Sequence, residues 1–271
     1  AQSAGVAVSR MSELFAMEEE REDSISTAFT VSRIDFQDVS FSYRNDEDVL
    51  KAICFTINEP GVYSLVGENG SGKTSVLKLL MRYYAVSNGQ ILLNNTDINL
   101  LPIEAVRKSI GYYAKDVFIK DDTILVNLLL GSKYSPESAP SNLGDLCEKV
   151  GLSEFLDSLP DGLQTPVGEN GKLLSSGQKQ KIAVVRALLD DSSILLLDEI
   201  TSDLDGDAEE KIVSALSELG RKKILLLVTH RVLPLKSARQ VVVLQNGHVE
   251  AVGSHDELLR VSLVYRSLFE K

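Results

Sequence analysis

The sequence predicts an α/β fold: a mainly parallel sheet with helices on its faces. Three observations predict it. Short apolar runs of strand length, such as Ile194-Leu195-Leu196-Leu197, recur along the chain. Helical patterns, notably Lys179 to Leu189 and Ala208 to Leu219, lie between several of them, the order that a parallel sheet with crossover helices requires. One run, Val62-Tyr63-Ser64-Leu65-Val66, passes straight into a glycine-rich loop and then a helix through Val76, Leu77, Leu79, Leu80 and Met81.

Taken in order, residues 1–32 stand apart. Val8, Met11 and Phe15 recur at helical spacing, and the acidic run Glu18-Glu19-Glu20-Arg21-Glu22-Asp23 follows, so the end of a helix and then a solvated linker are expected. The chain opens on Ala1 rather than Met, which suggests a piece of a longer protein. From Ile34 the pattern becomes that of strands. Ile34 and Phe36, then Val39, Phe41 and Tyr43, alternate with a phase slip at Gln37-Asp38 that predicts a bulge. Ile53, Phe55 and Ile57 make a second alternating strand. Further strands are expected at Ile91 to Leu93, Ile110 to Tyr113, Ile224 to Val228 and Val241 to Leu244. The pair Asn246-Gly247 marks a hairpin into His248-Val249-Glu250-Ala251. Residues 118–178 carry few strand signals and read as a helical subdomain.

Composition narrows the function classes. With 271 residues, 44% hydrophobic and 25% charged, the chain has the make-up of a soluble globular protein. No run approaches the ~18 consecutive apolar residues of a membrane span. A net charge of −11, with Lys and Arg scattered, argues against a nucleic-acid partner. Cys54 and Cys147 lack metal-ligand spacing and read as reduced packing residues. His248 and His255 read as structural.

The chemistry starts at Gly67-Glu68-Asn69-Gly70-Ser71-Gly72-Lys73-Thr74, a P-loop. A polyphosphate needs many N–H donors converging on it, and glycine permits the tight curve. Lys73 reaches the β- and γ-phosphates, the Thr74 hydroxyl can ligate Mg²⁺, and the helix through Ser75 turns its positive N-terminus to the anion. Downstream, the buried strand Ile194 to Leu197 ends in two carboxylates. Asp198 can hold the Mg²⁺ shell, and Glu199 stands where it could polarise an attacking water.

Leu174-Ser175-Ser176-Gly177-Gln178, just before the Lys179 to Leu189 helix, could be a helix cap and nothing more. It also looks like the signature of the ATP-binding cassette (ABC) ATPases, a family that the sequence resembles over nearly all of residues 33–271. The resemblance implies a P-loop NTPase fold with a RecA-like core, an N-terminal antiparallel β subdomain and a helical subdomain. It implies that Ser175, Ser176, Gly177 and Gln178 cover the γ-phosphate of a nucleotide bound to a second ABC domain, in a homo- or heterodimer. It places Tyr43 on adenine, makes Ser202-Asp203-Leu204-Asp205 the D-loop that communicates between the two sites, and makes His230 the switch histidine on the γ-phosphate. Thr165-Pro166-Val167-Gly168-Glu169-Asn170-Gly171 resembles the TxVGExG loop of ABC exporters. That likeness, with the first 32 residues read as a linker, implies a transmembrane domain in the same full-length chain and a place at the cytoplasmic face of a membrane. A soluble ABC ATPase with a regulatory or assembly role is the alternative, as is a degenerate half of a heterodimeric exporter. Two positions depart from the family. Lys115 stands where a glutamine is expected, and an ammonium, a donor only, cannot ligate Mg²⁺. It could stabilise phosphate charge instead, or swing away. Ser176 replaces a glycine.

Overall fold

The computed structural model describes residues 29–43 and 48–269; the helix and acidic linker expected before residue 29 lie outside the described residues. In chain order the strands are β1 (Ile34–Phe41), β2 (Leu50–Ile57), β3 (Gly61–Gly67), β4 (Asn88–Leu93), β5 (Thr96–Asp97), β6 (Ile110–Ala114), β7 (Ile194–Asp198), β8 (Ile224–Val228), β9 (Gln240–Gln245) and β10 (His248–Gly253). The helices are α1 (Lys73–Leu80), α2 (Ile103–Lys108), α3 (Ile124–Leu129), α4 (Leu143–Lys149), α5 (Ser153–Asp157), α6 (Ser176–Leu189), α7 (Gly206–Gly220), α8 (Val232–Ser237), α9 (His255–Val261) and α10 (Leu263–Phe269).

Two sheets form. The smaller has strand order β2-β1-β4-β5 and is antiparallel. Its β1 buries Ile34, Phe36, Val39 and Phe41, and the phase slip between the two pairs is a bulge: the register against β2 shifts between Phe36 and Val39, and Asp38 takes φ 49°. Across the pair, Phe36 stacks on Phe55 with ring centroids 4.4 Å apart. The larger sheet runs β10-β9-β3-β8-β7-β6, parallel throughout except for β10. The β9–β10 hairpin turns at Asn246 and Gly247, both with positive φ (50° and 83°), as the two-residue turn of a right-twisted hairpin demands.

Both faces of the larger sheet are covered, which is why its strands read as continuous apolar runs. The pleat of period two divides each strand between two cores. Val62 and Val66 of β3, Leu195 and Leu197 of β7, and Leu225 and Leu227 of β8 join one core with α6, α7 and the helices of residues 118–178. Tyr63, Leu65, Leu196, Leu226 and Val228 face the other, shared with α1 and the antiparallel sheet. Residues 118–178 hold α3, α4 and α5 with single 3-10 turns at Pro136–Ser138, Gly162–Gln164 and Glu169–Gly171, and one isolated bridge, Thr123 to Pro166. Among the described residues no helix is long and apolar enough to cross a membrane. The topology matters for function because β3, β7 and β8 are neighbours. Their C-terminal ends bring Gly67, Asp198 and Val228 to one edge, where open parallel sheets bind ligands.

Candidate functional site

The loop between β3 and α1 wraps tightly because its glycines allow it. Gly67 has φ 152°, and a Cβ there would overlap the Leu244 carbonyl oxygen of the adjoining β9. Gly70 has φ 80° and faces open space. The Lys73 ammonium donates to the carbonyls of Gly67 and Glu68 at 2.8 Å each, holding the loop as a closed ring. Burial pulls its pKa below the usual lysine value, against the opposing pull of Glu199 and Asp198. Together Tyr43, Asn69, Gly70, Gly72, Lys73, Thr74, Ser75, Asp198 and Glu199 line one cleft of about 380 Å³.

On the far wall, Asp198 is the last residue of β7. Burial raises its pKa above the ordinary carboxylate value; a hydrogen bond from Tyr112 opposes the shift, neighbouring Glu199 adds to it, and Lys73 and Lys78 counter it. The Tyr112 hydroxyl donates to Asp198 Oδ2 at 3.3 Å. Glu199 adopts φ 56°, a left-handed conformation that costs a non-glycine residue about 1–2 kcal/mol. Its N–H donates to Val228 O at 3.0 Å, so the chain bends sharply off β7 toward the end of β8. There His230 Nε2 lies 3.3 Å from Glu199 Oε1. Strain at such a residue is commonly kept where geometry serves chemistry.

The donors present fit a nucleotide triphosphate with Mg²⁺. The Ser71 hydroxyl is buried and has no partner among the described residues, an orphaned donor inside the loop. Thr74 and Asp198 add the hydroxyl and carboxylate oxygens that a hard cation prefers. Tyr43 sits at the cleft mouth, half-exposed, with its hydroxyl 3.0 Å from Ser75 Oγ and Lys78 Nζ 5.3 Å from its ring centroid.

Other residues singled out by the sequence lie elsewhere. Ser175 caps α6 in a reciprocal box: its hydroxyl accepts from Gln178 N at 3.2 Å, and its own N–H donates to Gln178 Oε1 at 2.8 Å. Ser176, Gly177 and Gln178 are thus the first turn of that helix, away from the cleft lining of the same chain. Asp205 caps α7, accepting from Ala208 N at 2.8 Å. Lys115, grouped by the sequence with the nucleotide contacts, is not among the residues lining the cleft. Its ammonium lies 3.7 Å from Asp203 Oδ1, in the Ser202-Asp203-Leu204-Asp205 segment.

Contacts made by three residues escape sequence reasoning. Besides the Tyr112–Asp198 bond, the D-loop is held by Gln180, which donates to Ser202 Oγ at 3.0 Å and accepts from Asp203 N at 3.0 Å. Arg231 donates to Glu209 Oε2 at 2.8 Å and to the carbonyls of Ser202 and Leu204 at 2.8 and 2.7 Å. Lone Tyr, Gln and Arg residues near motif ends carry no sequence signal for such partners.

Comparison with known proteins agrees with this geometry. Residues 50–202 match the family described as ABC transporter. The chain is 37% identical over 240 residues to a putative export ATP-binding/permease protein of Rickettsia bellii, covering 88% of this chain and 41% of the relative. It is 39% identical over 225 residues to an ATP-dependent lipid A-core flippase of Idiomarina loihiensis, covering 83% and 38%. It also resembles the structure of a bacterial Atm1-family ABC exporter with ATP bound, with a TM-score of 0.87 and 27% identity over 99% of this chain and 47% of the other. The chain spans less than half the length of these proteins. Resting on the matched residues, the P-loop and the paired Asp198-Glu199 at the end of β7, the conclusion is that the chain belongs to the ABC transporter family.

Proposed function

We propose that this chain binds Mg-ATP in the P-loop cleft and hydrolyses it, as the ATPase part of an exporter at the cytoplasmic face of a membrane. The observation that carries the reading is the Glu199–His230 pair, 3.3 Å apart, with Glu199 lining the same cleft as Lys73. A carboxylate so placed orients a water for in-line attack on the γ-phosphate and accepts its proton, while His230 holds the carboxylate and reaches toward the γ-phosphate. Lys73, now bonded to loop carbonyls, turns its charge to the β- and γ-oxygens. Thr74 and Asp198 would hold Mg²⁺, which would supply positive charge against the phosphate oxygens.

The partner reading has its own support. Ser175 and Ser176 are exposed at the start of the 14-residue helix α6. A second ABC domain placed head to tail would receive them over its γ-phosphate, where a helix N-terminus favours an anion. For the transmembrane domain, a groove of about 440 Å³ lies between the end of β6 and α6, lined by Tyr112, Val117, Leu130 and Ala183, with Phe118 68% exposed beside them. An exposed aromatic on a groove rim suits a helical segment of a membrane partner.

Steady-state ATPase and nucleotide binding test the reading. Glu199→Gln should retain ATP binding and lose about 10²–10⁴-fold in turnover, whereas Lys73→Ala should lose binding. Hydrolysis by Glu199→Gln at the rate of the starting protein, or no turnover by the starting protein under conditions where it dimerises, would refute it.

A further inference from the structure

We propose that Tyr112, on β6, is a positioning residue for Asp198, the carboxylate assigned above to the metal. The inference rests on the Mg-ATP reading above. It begins with the register of two parallel strands: Tyr112 pairs with Leu196 and Ala114 with Asp198. Side chains two apart share a face of a strand, so Tyr112 points to the same side of the sheet as Asp198 and stands one pleat behind it. A tyrosine is long enough to make up that step, and its hydroxyl arrives 3.3 Å from Asp198 Oδ2.

The contact has a purpose at this carboxylate. Asp198 is the last residue of β7 and lines the cleft with Lys73 and Thr74. A metal shell needs a carboxylate held in one orientation. A phenol that donates to one oxygen supports the anion and leaves the other oxygen to face the metal. The neighbouring strand end offers no substitute: Lys115 is a donor only and is engaged with Asp203 at 3.7 Å.

Tyr112→Phe isolates the hydroxyl, since the ring and its place in the groove wall are kept. The readout is the dissociation constant of a fluorescent ATP analogue, titrated into the starting protein and the variant in excess Mg²⁺ and again in EDTA. In EDTA the two should bind alike. In Mg²⁺ the variant should bind about tenfold more weakly. That is the low end of the 10- to 100-fold effects of removing an outer-shell partner of a metal site, as suits a bond of 3.3 Å, long for O–H···O. A structural role for the hydroxyl would weaken binding in both conditions equally, and that result overturns the inference, as does an unchanged ratio. If the starting protein shows no effect of Mg²⁺, the metal reading itself fails and the inference falls with it. An Mg²⁺ effect undiminished in Tyr112→Phe defeats the inference alone.

Discussion

Replacing Arg231 with methionine should destabilise the domain by about 3 kcal/mol and loosen the loop after β8 and the Ser202 to Asp205 segment. Arg231 follows His230 directly, and its guanidinium joins three pieces of backbone: the loop after β8, the D-loop through the Ser202 and Leu204 carbonyls, and α7 through Glu209. Glu209 is 8% exposed, and its second oxygen has no partner among the described residues. Methionine keeps the apolar stem but leaves that carboxylate buried and unpaired. Breaking a buried ion pair by removing one member costs about 3–5 kcal/mol. The Arg231 side chain is itself 30% exposed, so water can reach the gap, and the expected cost drops to the lower end, about 3 kcal/mol. For a domain of this size that corresponds to a fall in Tm of roughly 6–12 °C. Urea and thermal unfolding measure it. Adding Glu209→Gln to Arg231→Met should recover part of the loss, because a neutral amide costs less than a carboxylate to leave unpaired. ATP binding should change less than turnover, since His230 and the D-loop lose a shared anchor while the P-loop does not touch Arg231. A cost below about 0.5 kcal/mol for Arg231→Met, in the range of ordinary surface substitutions, would refute the reasoning.

Two further expectations come from the charges around the site. Asp198 has a folded-state pKa above its unfolded value, so its contribution to stability is complete below the ordinary carboxylate range and is lost as pH rises through the folded value. Asp198→Asn should therefore be more stable than the starting protein at pH 7, by about 0.5–2 kcal/mol, with the gap closing on acidification; urea unfolding at neutral and mildly acidic pH checks it, and a less stable variant at neutral pH contradicts it. The Lys115–Asp203 pair, with side chains 48% and 33% exposed, should show a coupling of about 0.2–1 kcal/mol in a double-mutant cycle on unfolding, shrinking toward zero in high salt; coupling that survives high salt would mean the pair is less hydrated than its exposure indicates.

What the sequence discloses here depends on how local the cause is. The strands were readable because a sheet covered on both faces makes apolar runs, and the β1 bulge was readable because burial on one side of it is out of phase with the other. α6 begins at Ser176 rather than Lys179, since the Ser175–Gln178 cap extends the helix back through polar residues that have no apolar period. α2, with six residues after Pro102, is too short for a helical period to show. α9 does carry a readable start, the Ser254–Glu257 capping box. At the site, the P-loop and the Asp198-Glu199 pair are contiguous in sequence and so legible. Tyr112 could not be matched to Asp198 without the β6–β7 register, a tertiary fact. Lys115 was visible as a departure, but not its contact with Asp203.

That contact makes the Ser202 to Asp205 segment a junction rather than a lone motif. Four residues, Ser202 to Asp205, are held by Gln180 from α6, by Arg231 from the loop after β8, and by Lys115 from the end of β6, while Asp205 caps α7. Each tether comes from an element with another duty. α6 presents Ser175 and Ser176, the β8 loop carries His230, and β6 carries Tyr112, which touches Asp198 and walls the 440 Å³ groove. A displacement of any one element therefore pulls on the same short backbone segment. The strengths are unequal. The guanidinium and amide contacts are 2.7 to 3.0 Å long and partly buried, whereas the lysine pair is 3.7 Å long and half-exposed. So the ties to α6 and to the loop after β8 are the stronger ones, and the tie to β6 is the weakest. Under the ATPase reading proposed above, a shift on the groove side would therefore disturb the Ser202 to Asp205 segment less than a shift of α6 or of the loop after β8 would.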